Sequence, residues 1–68
     1  MPTAKDVIRF LKRKGFLTKR QTGSHLVLKH PISGYRTVIP FHPGDLPKGL
    51  FARILKDAGF TMDDYQKD

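Results

Sequence analysis

Apolar residues fall at helical spacing twice along this chain, and short alternating segments lie between. Val7, Ile8, Phe10 and Leu11 make one face of a 3.6-residue repeat. Thr3, with Asp6 three residues on, resembles a capping box in which Asp replaces the usual Glu. Lys12, Arg13 and Lys14 put cations where the helix dipole favours them. Gly15 is a natural left-handed stop, and Phe16 is placed to fold back on the helix end. The pattern predicts a helix over Ala4–Lys14. A second face, Leu50, Phe51, Ile54, Leu55 and Ala58, predicts a helix over Lys48–Ala58, stopped by Gly59 and again followed by a phenylalanine, Phe60. Residues 9–16 and 53–60 agree at five of eight positions. Strand-like sequence separates them, so they read as two helices closed the same way rather than as a tandem repeat.

Between the helices, Phe16–Gln21, Ser24–His30 and Tyr35–Ile39 read as strands, with turns at Thr22-Gly23 and Pro31–Gly34 and with Pro40 closing the third. In the second strand Leu26 and Leu28 share one face, and His25, Val27 and Lys29 the other. Phe41–Pro47 reads as a loop, and the polar tail Thr61–Asp68 is expected to fray. The order is α-β-β-β-α, and short connections make the strands antiparallel neighbours. One apolar face per helix needs one sheet face to cover it. The expected class is therefore α+β, two helices on one face of a three-stranded antiparallel sheet, with the other face open to solvent or to a partner.

Size and composition narrow the function. A chain of 68 residues is one domain, 1–68, whose small core leaves no room for a large cofactor pocket. The absence of cysteine removes disulfides, Cys-based zinc sites and thiol catalysis. No apolar run approaches the ~20 residues of a membrane helix, and the expected location is cytoplasmic. Charge is the dominant signal: 13 Lys and Arg against six acids give +7. Residues 1–36 carry nine basic residues and one acid, whereas residues 37–68 carry four basic and five acidic ones. A one-sided basic field concentrates polyanions, nucleic acid first. Its spread over helix and strands is unlike a membrane-surface helix.

The histidines His25, His30 and His42 match no compact zinc spacing, so no metal or other cofactor is expected. The acids form no obvious catalytic pair. His25 follows Gly23-Ser24 at a strand start, near Lys19, Arg20 and Lys29. Imidazole exchanges protons near neutral pH, and neighbouring cations can hold a phosphate. On the residues alone, an exposed strand-start histidine and an acid–base group both remain open.

Four segments resemble the HicA family of small bacterial mRNA interferases, the toxin halves of type II toxin–antitoxin pairs. They are Leu11-Lys12-Arg13-Lys14-Gly15-Phe16, Arg20-Gln21-Thr22-Gly23-Ser24-His25, Val38-Ile39-Pro40-Phe41-His42-Pro43, and the run from Lys48 to Gly59. Their order and the chain length match the family from about Lys5 to Phe60. The chain departs from it in carrying Phe41 where a polar or basic residue is common. The resemblance implies a double-stranded-RNA-binding-like α-β-β-β-α fold, metal-independent cleavage of mRNA, a HicB-like antitoxin partner, and His25, the histidine of Gly-Ser-His, as the catalytic residue. Attack by the ribose 2′-hydroxyl needs only proton transfer and charge stabilisation at phosphorus. Lys19, Arg20 and Lys29 are then candidates to hold phosphates. Gly23 is expected to allow a tight turn, and Ser24 to bond substrate or orient the loop. Lys48 is a candidate phosphate contact at the start of the second helix, where Gly49 follows it. His42 is a further candidate, set against a loop histidine bonded to nearby backbone. A non-catalytic RNA-binding module of the same fold is the alternative function. A DNA-binding protein ranks behind it, because the basic first helix carries no Asn or Gln to read bases.

Overall fold

A computed structural model describes residues 1–68 and arranges them as α1 (Ala4–Arg13), β1 (Leu17–Gln21), β2 (His25–Lys29), β3 (Arg36–Pro40), α2 (Lys48–Asp57) and α3 (Met62–Lys67). The α+β class and the expected element order hold, with one helix added at the end. The sheet order is β1-β2-β3, antiparallel throughout.

The start of α1 follows from its cap. Thr3 Oγ1 accepts from the Asp6 N–H at 3.3 Å, and the Asp6 carboxylate accepts from the Thr3 N–H at 3.0 Å. Both long helices end in the same Schellman geometry. Gly15 and Gly59 adopt φ of +94° and +85°. Phe16 N–H donates to Leu11 C=O at 3.0 Å, and Phe60 N–H to Leu55 C=O at 2.8 Å. The shared end-sequence is thus one capping device used twice. It also explains why β1 begins at Leu17: Phe16 is turned into the core as the clasp of α1.

The core gathers Val7, Phe10 and Leu11 of α1, Leu26 and Leu28 of β2, Ile39 of β3, and Phe51, Ile54 and Leu55 of α2. The helices therefore cover one face of β2 and β3, while every residue of β1 is exposed. Leu46, which sits in the expected loop, is buried and anchored by its N–H to Pro2 C=O at 2.8 Å. Thr37 is the single buried polar residue; its hydroxyl donates to Ile54 C=O at 3.0 Å.

Two expectations are corrected. Residues 61–68 are not a frayed tail: α3 starts with a second capping box, Thr61 with Asp64. Tyr65 packs edge-on against Phe10 and Phe51 at centroid distances of 4.8 and 5.0 Å. Asp68 pairs with Arg13 and, at 2.9 Å, with Lys14. The other correction is Val27, which belongs to the open face yet is only 5% exposed and lies outside the main core cluster. Arg20 and Val38 sit directly across from it on either side, so the aliphatic stem of Arg20 and the Val38 methyls flank it there.

Helix direction positions the site. The ring of Tyr35, just before β3, lies over Gly59, and Thr37 bonds to Ile54. Helix α2 thus runs antiparallel to β3, and its N-terminus lies at the Pro40 end of the sheet. The ring of His30 lies over Gly15, which fixes the C-terminus of α1 at the opposite end of β2 from His25. Both helices therefore point their N-termini toward the end of the sheet that carries His25.

Candidate functional site

His25 opens β2 and is exposed. The hairpin turn before it is held from both sides by Thr22. The Thr22 N–H donates to His25 C=O at 2.9 Å, and the His25 N–H donates to Thr22 Oγ1 at 3.0 Å. Ser24 Oγ lies 3.0 Å from His25 Nδ1, which leaves Nε2 free. Thr22, which the sequence alone showed only as part of a turn, thus fixes the backbone of His25. Its signal was present, because a hydroxyl residue at a turn bonds backbone a few residues on.

Gly23 differs from its expected role. Its φ is not positive, and a Cβ there meets nothing within 4 Å. The fold does not require a glycine, so what the missing side chain provides is open approach to the Ser24–His25 turn.

The cations expected around His25 are placed unequally. Arg20 pairs across from Val27, so it is the diagonal neighbour of His25 on the open face. Lys19 occupies the β-bulge between Thr18 and Arg20, where the strand register shifts. Lys29 lies at the far end of β2, opposite Arg36. Arg36, which the sequence reading did not single out, adds a fourth cation to the sheet. Lys48 begins α2, whose first turn has no acid and whose N-cap, Pro47, offers no side-chain hydrogen bond. The imidazole of His42 makes no hydrogen bond to the protein; only its backbone N–H is engaged, to Pro40 C=O at 2.9 Å.

No acid occurs between Asp6 and Asp45, so the sheet has no internal counter-charge. The acids elsewhere are occupied. Asp6, Asp57, Asp63 and Asp68 hold Arg9, Arg53, Lys67 and the Arg13–Lys14 pair. Asp64 caps α3. Hydrogen bonds from Thr3 hold the Asp6 carboxyl below its ordinary value, and those from Arg13 and then Lys14 do the same for Asp68. Lys19, Arg20, Lys29, Arg36 and Lys48 have no ion-pair partner. The histidines and aspartates form no cluster of three or more. No helix is long and apolar enough to cross a membrane.

An exposed histidine with one nitrogen held and the other free, on a sheet without acids, suits proton transfer at a bound phosphodiester. The family model described as the HicA toxin of bacterial toxin–antitoxin pairs matches residues 4–60. This chain belongs to the HicA toxin family. No curated protein matches it. The matched span holds the sheet and both long helices of this HicA toxin. It ends at Phe60, so α3 is an element beyond it.

Proposed function

We propose that this HicA toxin cleaves RNA without a metal ion, with His25 as the general acid or base, and that a HicB-like antitoxin silences it. The observation that carries this reading is the Ser24–His25 contact. In the tautomer whose Nδ1–H donates to Ser24 Oγ, the lone pair lies on the unengaged Nε2 and can take the 2′-hydroxyl proton. The 2′-oxygen then attacks phosphorus, and the bond to the 5′-oxygen breaks. The departing 5′-oxygen takes its proton from the His25 imidazolium or from solvent, so the cyclic phosphate and the 5′-hydroxyl form without a hydrolytic water.

Arg20, the diagonal neighbour of His25, is placed to offset charge on the phosphoryl oxygens. Lys19, Lys29 and Arg36 extend the positive track along the sheet for neighbouring phosphates. Lys48 adds a contact at the α2 N-terminus. Both helix dipoles point their positive ends to this side, which favours an anion there. An antitoxin surface that is acidic with apolar anchors complements the same face. A substrate of this kind places the toxin in the cytoplasm, with mRNA.

The test is cleavage of mixed-sequence RNA in chelator by the protein and by its His25→Ala variant. The expected result is a rate loss of about 100- to 10,000-fold in the variant, and no cleavage of 2′-O-methyl RNA by either. Full activity in His25→Ala overturns the assignment. Tight binding without cleavage by the unaltered protein favours the RNA-binding module instead.

A further inference from the structure

We propose that the groove between the N-terminus of α1 and the loop after β3 is a base-binding subsite, in which the Phe41 ring stacks on an unpaired nucleotide flanking the bond cleaved at His25. The proposal rests on the ribonuclease reading of His25. It extends that reading by naming where the substrate is held and in what form.

Ala4 and Lys5 line the groove from one side, and Phe41, His42 and Pro43 from the other, around about 370 Å³. That is at the small end of ligand pockets, about 300–1,000 Å³. It is too small for a folded partner but wide enough for one planar base.

Phe41 stands apart from the other phenylalanines. Phe10, Phe16, Phe51 and Phe60 each pack against another aromatic ring. The Phe41 ring has no such partner and is 43% exposed. The fold thus leaves a flat apolar surface in solvent, which costs solubility and adds nothing to the core. The polar groups of the groove are equally unengaged. His42 makes no side-chain hydrogen bond, and Lys5 has no ion pair. The nearest acid along the loop, Asp45, is occupied by the Met1 amine at 3.6 Å.

The groove is continuous with the His25 turn. Pro40 pairs with His25, and the next residue, Phe41, donates its N–H to Ser24 C=O at 2.9 Å. A strand whose phosphate lies at His25 therefore passes over the end of the sheet directly onto the Phe41 ring. There Lys5 meets the following phosphate, and His42 meets the base edge or sugar. A base stacked in a duplex has no free face for such a ring, so the occupant is single-stranded RNA. Stacking of this kind tolerates any base, because every base has a π-face.

The experiment compares Phe41→Ala, Phe41→Leu and Phe41→Trp for cleavage of single-stranded RNA, with thermal melts as a fold control. Phe41→Ala and Phe41→Leu are expected to raise KM about 5- to 150-fold, the range for losing one stacked base, with the effect falling on KM rather than kcat. Phe41→Trp is expected to restore KM. A Leu variant as good as the unaltered protein removes the stacking argument and overturns the proposal. So does weaker binding of an antitoxin with KM for RNA unchanged, which assigns the groove to a protein partner. A second arm uses the His25→Ala protein and an oligoribonucleotide carrying 2-aminopurine. Fluorescence quenching on binding that disappears with Phe41→Ala supports the subsite even where cleavage is absent, and quenching that persists overturns it. Loss of cleavage in the unaltered protein counts against the ribonuclease reading, and the second arm still decides the subsite.

Discussion

Ser24 holds the imidazole of His25 from behind: its Oγ lies 3.0 Å from Nδ1, so one ring nitrogen is fixed and the other is presented. Removing that hydroxyl leaves the ring free to rotate. Ser24→Ala is expected to lower kcat about 3- to 10-fold, the worth of one such hydrogen bond, and to shift the pH profile of kcat. The same variant should melt with the unaltered protein, because the turn is held by Thr22. An unchanged pH profile would show that Ser24 does not position the base.

RNA binding should weaken steeply with salt. The sheet cations have no acids to neutralise them, so each phosphate contact releases counterions. For the His25→Ala protein, log affinity against log salt should fall with a slope of about −0.7 per contact on single strands. Arg20→Ala and Lys29→Ala should each make the slope shallower by about one contact. A slope indifferent to both substitutions places the RNA elsewhere.

The fold needs glycine at the two helix stops and does not need it at Gly23. Gly15 and Gly59 combine positive φ with an aromatic ring lying 2.8 Å from where a Cβ would stand, His30 over Gly15 and Tyr35 over Gly59. Alanine at either should cost about 1–2 kcal/mol for the backbone alone, with more for displacing the ring. Gly23→Ala should change stability by less than about 0.5 kcal/mol and act, if anywhere, on RNA cleavage. Denaturant melts of the three variants check this ordering.

Helix α3 should stabilise the whole domain. Tyr65 meets two phenylalanine rings, and burial pushes its hydroxyl above the ordinary tyrosine value. Tyr65→Ala should cost about 1–3 kcal/mol, two aromatic pairs' worth. A loss confined to α3 helicity, with the melting temperature unchanged, would show that the helix merely rests on the surface.

Acid should undo one of its anchors in a defined window. Arg13 first, and then Lys14, hold the Asp68 carboxyl below its ordinary 3.8, so the folded chain binds fewer protons there than the unfolded chain. That contribution is complete above the ordinary value and disappears as pH falls through the lower folded value. The gap in melting temperature between the protein and Asp68→Asn should therefore close below pH 3.8 and stay constant above it.

Much of the architecture was legible because single residues carried it. Thr3 and Asp6 marked the start of α1, and Gly15 and Gly59 marked two helix ends. Leu26 and Leu28 named the buried face of β2. The missed helix shows where such reading stops. Thr61 and Asp64 repeat the Thr3–Asp6 signature, but Met62 and Tyr65 alone make too thin an apolar face to register as a period. The rings that Tyr65 packs against, Phe10 and Phe51, lie on other helices. Val27 fails for the same reason: its cover comes from Arg20 and Val38 on neighbouring strands, a matter of register rather than alternation. At the site, His25 and Ser24 were adjacent in sequence and easily joined. The proximity of Phe41 to that turn depends on pairing between β2 and β3, which no local pattern displays.

The hairpin loop between His30 and Tyr35 seats one ring on each helix stop, and so latches three elements together at one end of the molecule. Amide exchange should be graded from that latch toward the His25 end, slowest where the loop grips and faster over the exposed residues 41–45, ahead of the buried anchor Leu46. Under the proposed function, local opening at the far end would admit and release a nucleic-acid strand while the latch stays shut. Local opening at the His25 end and global unfolding then draw on separate free-energy gaps, and a chain of this size can move at one end without risking its fold.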